Sequence, residues 1–321
     1  MPAAAGGKAS TAAAGGKAST AAAGGKASTE FVLTLSCPDR TGIVHAVAAY
    51  LHQAGCNVID SQQFGDRIDQ GSGRFFMRVH VETVPGAAAT QESLHAGFTP
   101  VAAEFGMDWE LHDTAVQPRV LIMVSKAGHC LNDLLYRRAA ESLRIDVPLV
   151  VGNHPDLAPL ATAHGVAFEH VPTGPVSAGT GPLTAQQSEG RLLDLVSELG
   201  IDFVVLARYM RILSPELCAK MSGRIINIHH SFLPSFKGAR PYHQAHAHGV
   251  KLIGATAHYV TADLDEGPII EQEVARVDHS DSPEDLAAIG RDAERVALAR
   301  AVRWHAEHRV LLHGRRTVIF R

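Results

Sequence analysis

The stretch Arg224-Ile225-Ile226-Asn227-Ile228-His229-His230-Ser231-Phe232-Leu233-Pro234 decides the fold of the larger part of the chain. Its isoleucines predict a buried strand over Arg224–His229, and Pro234 prevents the strand from continuing. Residues two apart in a strand point to the same side, so Asn227 and His229 should project together from its carboxyl end, where open α/β sheets bind ligands. An amide and an imidazole N–H that converge can stabilise a carbonyl oxygen gaining negative charge. A hydrogen-bonded polar pair at a strand end explains the same residues equally well.

Strand and helix patterns alternate around this stretch and predict a mostly parallel sheet. The predicted strands are Arg119–Ser125, Val147–Gly152, Val166–Val171, Phe203–Ala207, Arg224–His229 and Lys251–Val260. A loop rich in glycine, proline and serine covers residues 173–182, and a long helical pattern runs from Pro283 to Val310. Residues 119–321 are therefore predicted to form a Rossmann-like α/β domain.

A smaller domain is predicted over residues 30–113, in the β-α-β-β-α-β order of ferredoxin-like domains. Its strand patterns are Phe31–Leu35, Val58–Phe64, Arg74–Val84 and Trp109–His112. Its helical patterns run from Ile43 to Leu51 and from about Gln91 to Phe105, and Asp39 or Thr41 is predicted to cap the first helix. Residues 114–118 are predicted to be a short linker between the domains.

Residues 3–29 repeat the nonapeptide AAAGGKAST three times. Because the repeat has no large apolar side chain, it cannot offset its ordering entropy, and residues 1–29 are predicted to be disordered. A repeat solenoid is the formal alternative, but these small residues supply no core. An organelle transit peptide is a further alternative, although the segment has no arginine and no amphipathic pattern.

Composition narrows the function classes. The 321 residues are 46% hydrophobic and 19% charged, enough for two folded domains, and the formal net charge of -4 gives no sign of a nucleic-acid surface. The four cysteines form no CxxC pair, which disfavours a disulfide framework or a cysteine zinc site and favours a cytoplasmic location. No apolar run approaches the roughly 20 residues of a membrane span.

The run Cys37-Pro38-Asp39-Arg40-Thr41-Gly42-Ile43-Val44, which joins a strand to a helix, resembles an ACT domain. The resemblance covers residues 30–113. It implies a regulatory domain that binds an amino-acid effector, such as methionine or glycine, near Asp39, Arg40, Thr41 and Gly42. It also implies pairing of copies into a homo-oligomer. As a local pattern alone, the same turn is an ordinary helix start in which Gly42 allows close packing.

A carboxylate is predicted beside the Asn227 and His229 pair. Asp265 follows a strand ending in His258-Tyr259-Val260, on a turn enforced by Gly267-Pro268. A carboxylate there can take a proton from water, orient His229, or do both. Taken alone, Asp265 is equally compatible with a turn residue that has no chemical role. His258 is predicted to be a core or site-edge histidine.

Several motifs together resemble the formyltetrahydrofolate-dependent formyltransferase family over about residues 119–310. They are Val205–Leu213, Asn227-Ile228-His229, Leu233–Gly238, Gly254–His258 and Asp265-Glu266-Gly267-Pro268. An amino-terminal ACT domain, with His229–Pro234 and Gly238–Ala245, resembles the deformylase branch of that family. The resemblance implies that Asn227 and His229 polarise the formyl group and that Asp265 assists proton transfer. It also implies a pterin pocket lined by Met210, Arg211, Ile212, Leu213, Ala262, Asp263 and Leu264.

The first loop of the larger domain departs from the amine-transferring branch. Glycinamide ribonucleotide formyltransferases, which the domain resembles, carry a glycine-rich loop whose N–H groups hold the acceptor phosphate. Here Ser125–Asn132 keeps one glycine and carries the bulky His129. Water is therefore the expected nucleophile. Lys126 and His129 are predicted to rim the substrate site, although a surface lysine and a packing histidine are equally compatible with the pattern.

A metal site is not predicted. His243, His246 and His248 form an H-x-x-H-x-H string, but the segment is short and polar and offers no fourth ligand. No intact GxGxxG, Walker A or nucleophile-elbow motif is present.

The resemblance thus predicts hydrolysis of 10-formyltetrahydrofolate to tetrahydrofolate and formate, with no permanently bound cofactor. In metabolism this would supply formate for purine synthesis and balance one-carbon pools. The alternatives are formyl transfer to an amine such as glycinamide ribonucleotide and a non-catalytic folate- or amino-acid-binding regulator. No nucleic-acid or membrane partner is expected.

Overall fold

The computed structural model of the chain describes residues 29–66, 73–84, 89–173, 183–233 and 241–321. Four predicted features lie wholly or mostly outside the described residues: the repeats at 1–28, the turn at Gly71-Ser72, the loop at 173–182 and the motif segment 234–240. Within the described ranges, no helix combines the length and the apolar content needed to span a bilayer.

The amino-terminal domain has the predicted ferredoxin-like order. Its elements are β1 (Glu30–Pro38), α1 (Ile43–Gln53), β2 (Cys56–Asp66), β3 (Arg74–Thr83), α2 (Gln91–Phe105) and β4 (Asp108–Asp113). The strands form an antiparallel sheet in the order β2-β3-β1-β4. Alternation along β1 sends Leu33 and Leu35 into the core with Phe98 of α2, whereas Thr34 and Ser36 lie on the opposite face.

The start of α1 corrects one prediction, since neither Asp39 nor Thr41 caps the helix. The N-cap is Gly42, in a left-handed conformation with φ 96°, and no side chain caps it. The preceding turn is held instead by the backbone, where Asp39 N–H donates to the carbonyl of Gly73 at 2.6 Å. Gly42 is therefore required by its conformation, because other residues rarely adopt a positive φ.

The larger domain begins with β5 and ends with a hairpin. Its strands are β5 (Arg119–Val124), β6 (Asp146–Gly152), β7 (Ala167–His170), β8 (Phe203–Ala207), β9 (Ile225–His229), β10 (Leu252–Tyr259), β11 (Ile269–Arg276), β12 (Val310–His313) and β13 (Arg316–Ile319). Its helices are α3 (His129–Ala139), α4 (Ala158–Ala163), α5 (Ala185–Glu198), α6 (Pro215–Lys220), α7 (Pro241–Ala247) and α8 (Pro283–Ala306), with a 3₁₀ turn at Pro155–Leu157.

The main sheet has seven strands in the order β11-β10-β9-β8-β5-β6-β7. The five strands from β9 to β7 in this order are parallel, as predicted, but β10 is antiparallel to both β9 and β11. The chain leaves β5 toward β6 and later returns to β8 on the other side of β5, so the strand order reverses there. The carboxyl ends of β5 and β8 therefore flank the crevice where such sheets bind ligands.

Two further details differ from the sequence predictions. The helical pattern expected to reach Val310 ends at Ala306, because His308 turns left-handed with φ 53° and Val310 starts β12. Strand β11 was not predicted, since apolar and polar residues do not alternate cleanly along its sequence. One face of the sheet packs on α3 and α8 and the other on α5 and α6.

The face of the small sheet that does not carry α1 and α2 packs against the end of α8 and the β12–β13 hairpin. Arg78 of β3 is 3% exposed, and it donates to the carbonyls of Glu307 at 3.1 Å and His308 at 3.2 Å. Asp66 accepts hydrogen bonds from His313 and Arg316, each at 2.9 Å. The two domains are thus joined by buried charges that have partners on the other side.

Candidate active site

The three residues predicted to be catalytic lie together toward the carboxyl end of β9. Asn227 and His229 are on β9, and Asp265 follows β10, which pairs with β9. Nδ1 of His229 lies 3.1 Å from Oδ2 of Asp265. The other carboxylate oxygen lies 3.6 Å from Nε2 of His258, and that nitrogen is 3.3 Å from Nδ2 of Asn227. The four side chains form one connected polar group.

The turn after β10 positions Asp265 by unusual backbone geometry. Asp265 is left-handed, with φ 56°, a conformation that aspartate and asparagine tolerate better than most residues. A Cβ on Gly267 would lie only 1.8 Å from the carbonyl oxygen of Tyr259. Glycine is therefore needed where the turn folds back, and Tyr259 N–H donates to the carbonyl of Pro268 at 2.9 Å. These features aim the carboxylate of Asp265 back at β9.

His258 lies beside Asn227 and Asp265 in this polar group. It is 2% exposed, and its Nδ1 lies 2.8 Å from its neighbour's carbonyl, that of Tyr259. A carbonyl only accepts, so Nδ1 carries the hydrogen, and Nε2 faces the amide of Asn227 at 3.3 Å. The sequence prediction of a site-edge histidine is the one that fits this placement, and the hydrogen bond fixes which way the Asn227 amide points.

Electrostatics keep Asp265 ionised. The hydrogen bond from His229, followed by the contact with His258, holds the pKa of Asp265 well below its usual range despite partial burial. Nδ1 of His229 faces this carboxylate at 3.1 Å. Nε2 of His229 is buried and has no hydrogen-bond partner among the described residues. A protonated His229 would therefore present one free donor to a bound carbonyl oxygen.

The loops predicted to hold the pterin expose apolar side chains near this group. Met210 and Ile212 after β8 are 62% and 74% exposed, and Leu264 beside Asp265 is 59% exposed. Arg211 is also exposed and donates to the carbonyl of Thr173 at 2.5 Å, while Leu213 lies in the core below the loop. Ala262 and Asp263 are exposed on the second loop. Exposed apolar groups in loops that flank a polar group are typical of a binding site.

Lys126 and His129 follow β5, on the other side of the crevice. Lys126 is exposed and lines a cavity of about 370 Å³ with Arg208, Met210 and Asn153. His129 points inward instead, and its Nε2 lies 2.8 Å from Oε2 of Glu294. The structure therefore separates these two residues, which the sequence pattern grouped.

Glu294 is the centre of a cluster that sequence reasoning missed. It is 1% exposed, and its oxygens face His129, Arg208 at 3.3 Å and the hydroxyl of Tyr242 at 3.0 Å. Burial alone would raise the pKa of Glu294, but the hydrogen bond from His129 and the charge of Arg208 outweigh burial and lower it. A carboxylate on the apolar face of α8 was the available sequence signal, because unpaired charges are rarely buried.

Among the described residues, one group has the spacing of metal ligands: His129, Cys130 and Glu294. Its chemistry does not suit a cation. Burial raises the pKa of the Cys130 thiol, and the guanidinium of Arg208 already neutralises Glu294. The predicted H-x-x-H-x-H string lies on and just after α7, with His243, His246 and His248 exposed.

The residues predicted to bind an effector lie at the start of α1, far along the chain from the polar group. Arg40 donates to the carbonyl of Glu104, and its guanidinium sits 4.1 Å from the centre of the Phe105 ring. Asp39, Thr41 and Gly42 form the turn itself. The turn is thus held between two parts of the domain, Gly73 just before β3 and the end of α2.

Comparison with known proteins agrees with both halves of the molecule. The profile of the Formyl transferase family matches residues 118–302, and that of the ACT domain matches residues 31–96. The fold and the polar group together define a formyl transferase domain that follows an ACT domain. Glycinamide ribonucleotide transformylase 1 from Symbiobacterium toebii is similar to part of this chain, with 31% identity, a TM-score of 0.59, and coverage of 66% of this chain and 98% of that one.

Proteins that match nearly the whole chain have higher sequence identity to it than this transformylase. The formyltetrahydrofolate deformylase of Corynebacterium sp. (strain P-1) is 49% identical over 290 residues, covering 90% of this chain and 98% of the relative. The enzyme of that name from Escherichia coli K12 is 40% identical, with coverage of 90% and 97%. A crystal structure of the Burkholderia mallei deformylase has 52% identity and a TM-score of 0.83, with coverage of 91% and 100%. The chain belongs to the formyltetrahydrofolate deformylase family.

Proposed function

We propose that this protein hydrolyses 10-formyltetrahydrofolate to tetrahydrofolate and formate, using Asn227, His229 and Asp265. The observation that carries the proposal is the buried Nε2 of His229, which has no partner among the described residues although its Nδ1 is held by Asp265. A buried nitrogen without a partner is costly unless a ligand supplies one. A formyl oxygen is such a partner.

In the proposed reaction, the oxygen of water attacks the formyl carbon and the π electrons move to the formyl oxygen. The Asn227 amide and the protonated Nε2–H of His229 stabilise the oxyanion that forms. Asp265 stabilises the His229 cation and accepts the proton that water releases. That proton then passes to N10 of the folate as the C–N bond breaks, which leaves tetrahydrofolate and formic acid, and the acid ionises to formate. No step requires a bound cofactor.

The apolar side chains of Met210, Ile212 and Leu264 are proposed to hold the pterin ring. Their exposure of more than half in the free protein supports this role, because burying such groups against a flat ring is favourable. Arg211, Leu213, Ala262 and Asp263 are proposed to complete the pocket and Lys126 to border it, whereas His129 is turned toward Glu294.

Hydrolysis is proposed in preference to transfer because the first loop offers no phosphate cradle. Ser125 Oγ accepts the N–H of Met210 at 3.0 Å, which ties this loop to the loop after β8. The single glycine, Gly128, packs against Leu157, where a Cβ would lie 2.9 Å from a methyl carbon. His129 is turned toward Glu294. A phosphorylated amine would need convergent N–H donors at this place.

The discriminating experiment supplies 10-formyltetrahydrofolate without an amine and follows formate and tetrahydrofolate. Equal amounts of both products are expected, and glycinamide ribonucleotide should neither speed the reaction nor become formylated. A negligible rate that rises steeply with that amine would overturn the hydrolase proposal in favour of transfer. Folate binding without turnover under either condition would favour a regulator.

The small domain is proposed to bind an amino acid, such as methionine or glycine, near Asp39–Gly42 and to pair with a second copy. The edge strand β2 supports pairing, because it exposes Val58, Ile59 and Phe64 by 42%, 47% and 43% and its outer edge has no neighbouring strand among the described residues. Light scattering with and without each amino acid tests both parts. A monomer that is insensitive to every amino acid would contradict them.

The metabolic setting follows from the proposed reaction. Formate released by this protein would supply purine synthesis, and the return of tetrahydrofolate would balance one-carbon pools. A cytoplasmic location fits the four cysteines, which are all free and buried.

A further inference from the structure

The contact between α7 and α8 has a feature that packing alone does not require. Tyr242 of α7 lies over Gly290 of α8, and its hydroxyl donates to Oε1 of Glu294 at 3.0 Å. Gly290 and Glu294 are four residues apart and therefore share a face of the helix. A Cβ on Gly290 would lie 2.0 Å from the Tyr242 hydroxyl oxygen and 2.3 Å from the ring carbon that bears it. The absent side chain is what lets the tyrosine reach the carboxylate.

The Tyr242 ring is connected to the polar group of the active site through the ring of His230. Its centre lies 6.4 Å from that of the His230 ring. The His230 ring in turn stacks on His229, with centres 4.9 Å apart and planes inclined by 25°. His230 is well placed to act as packing, since burial and the charge of Arg208 lower its pKa to about 4 and keep it neutral at neutral pH. His229 is thus held by Asp265 at one nitrogen and by a stacked ring on one face.

Glu294 can fix Tyr242 firmly because its own charge is balanced. Its second oxygen faces His129 at 2.8 Å and Arg208 at 3.3 Å. Burial, followed by the charge of Glu294, raises the pKa of Tyr242, so the hydroxyl keeps its hydrogen and remains the donor. A charge-assisted hydrogen bond of this kind is stronger than one between neutral groups.

We propose that Gly290 and Glu294 are positioning residues for the reaction: they hold the Tyr242 ring against His230, and His230 fixes the ring of His229 with Nε2 aimed at the formyl oxygen. This inference rests on the proposed hydrolysis. Gly290 and Glu294 act on the reaction only through His229. His229 forms a stronger hydrogen bond to the oxyanion of the transition state than to the formyl oxygen of the bound substrate. Loss of Gly290 or Glu294 should therefore lower kcat and leave KM for the folate nearly unchanged.

The test compares two glycine-to-alanine variants in helices. Gly290→Ala forces the Tyr242 ring away, whereas Gly190→Ala in α5 meets nothing within 4 Å. Initial rates of formate release should fall roughly tenfold or more in kcat for Gly290→Ala, since small misplacements of reacting groups are costly. Gly190→Ala should keep the wild-type kcat and show a slightly raised melting temperature. Equal kcat values for Gly290→Ala and wild type, in a folded variant, would overturn the proposal.

Tyr242→Phe keeps the inference testable even if Gly290→Ala does not fold. It removes one hydroxyl and should lower kcat several-fold at unchanged KM. The double variant with Gly290→Ala should be no slower than Gly290→Ala alone, because both changes act on one contact. A multiplicative double variant, or a Tyr242→Phe enzyme with wild-type kcat, would contradict the chain of contacts. If the wild type itself releases no formate, the proposed function fails instead, which distinguishes the two outcomes.

Discussion

Replacing Asp265 by asparagine tests the centre of the proposed mechanism. Asparagine is the appropriate replacement because residue 265 has φ 56°, and asparagine accepts a left-handed backbone where alanine would be strained. Its amide oxygen can still accept Nδ1–H of His229. The change therefore keeps shape and hydrogen bond and removes the negative charge and the proton acceptor.

The expected magnitude follows from the distance between the groups. For Nδ1 of a protonated His229 and Oδ2 of Asp265, 3.1 Å apart, Coulomb attraction at an effective dielectric of about 20 is about 5 kcal/mol. This is an upper limit and corresponds to roughly 10⁴-fold in rate. Loss of general acid–base catalysis alone is worth roughly 10²–10⁴-fold. Asp265→Asn should therefore lower kcat by roughly 10²–10⁴-fold.

The assay measures formate release and, separately, folate binding by fluorescence or calorimetry. The dissociation constant should stay close to that of the wild type, because the apolar loops are unchanged. Asp292→Asn, at an exposed carboxylate paired with Arg295, is the matched control and should keep full activity. A rate for Asp265→Asn within a few-fold of wild type would remove Asp265 from the mechanism. Lost folate binding would instead assign it to recognition.

Three further predictions concern the turn, the domain junction and the amino terminus. Gly267→Ala should lower both kcat and the melting temperature, because its Cβ would collide with the Tyr259 carbonyl; wild-type values would contradict the close approach. Burial, followed by the charges of His112 and His305, lowers the pKa of His308 to about 3. Its neutral form is thus favoured in the folded state, and stability should fall as pH drops from about 6.5 toward 3. The part of this loss that His308 contributes between pH 7 and pH 5 should be about 2 kcal/mol, measured as the difference in urea unfolding between the wild type and His308→Asn, which suits φ 53°. Deleting residues 1–28 should leave activity and assembly unchanged. The deletion stops before Thr29 because the N–H of Thr29 donates to Oγ1 of Thr83 at 3.0 Å. An altered kcat or particle mass would assign the repeats a role.

The alternation of polar residues in β9 was readable from the sequence because strand geometry fixes which side chains share a face. Strand periodicity alone therefore pairs Asn227 with His229. The direction of β10 was not readable, since an apolar run has the same period in parallel and antiparallel strands. The antiparallel pairing places His258 opposite Asn227, which is why the contribution of this histidine emerged only from the fold.

The conformations of Asp265 and of the first helix start were also beyond the sequence. An aspartate before Glu-Gly-Pro fits several turns, and only the close approach at Gly267 selects the left-handed one. For α1, Asp39 and Thr41 were reasonable caps by residue type, but the positive φ of Gly42 sets the N-cap there. In both places the backbone conformation, and not the preference of the residue type, decides the local structure.

The Glu294 cluster was unpredictable for a different reason. Its partner His129 is 165 residues away in sequence, and no local period connects them. The fold brings them together because α3 and α8 cover the same face of the sheet. Buried polar clusters of this kind depend on tertiary packing, so the sequence shows only the signal of a charge on an apolar helix face.

Helix α8 connects the active-site cluster with the domain junction. It carries Gly290 and Glu294 near its middle and ends at Ala306, next to the carbonyls of Glu307 and His308 that accept hydrogen bonds from Arg78. The distance from Glu294 to Ala306 is about 18 Å at 1.5 Å per residue, and a continuous helix transmits displacement along its axis. A ligand that shifted the small sheet would therefore move the acceptors of Arg78 and the end of α8 together. The contacts of Glu294 with Tyr242 and Arg208 lie farther along that same helix, so the proposed amino-acid effect should be sought first in kcat.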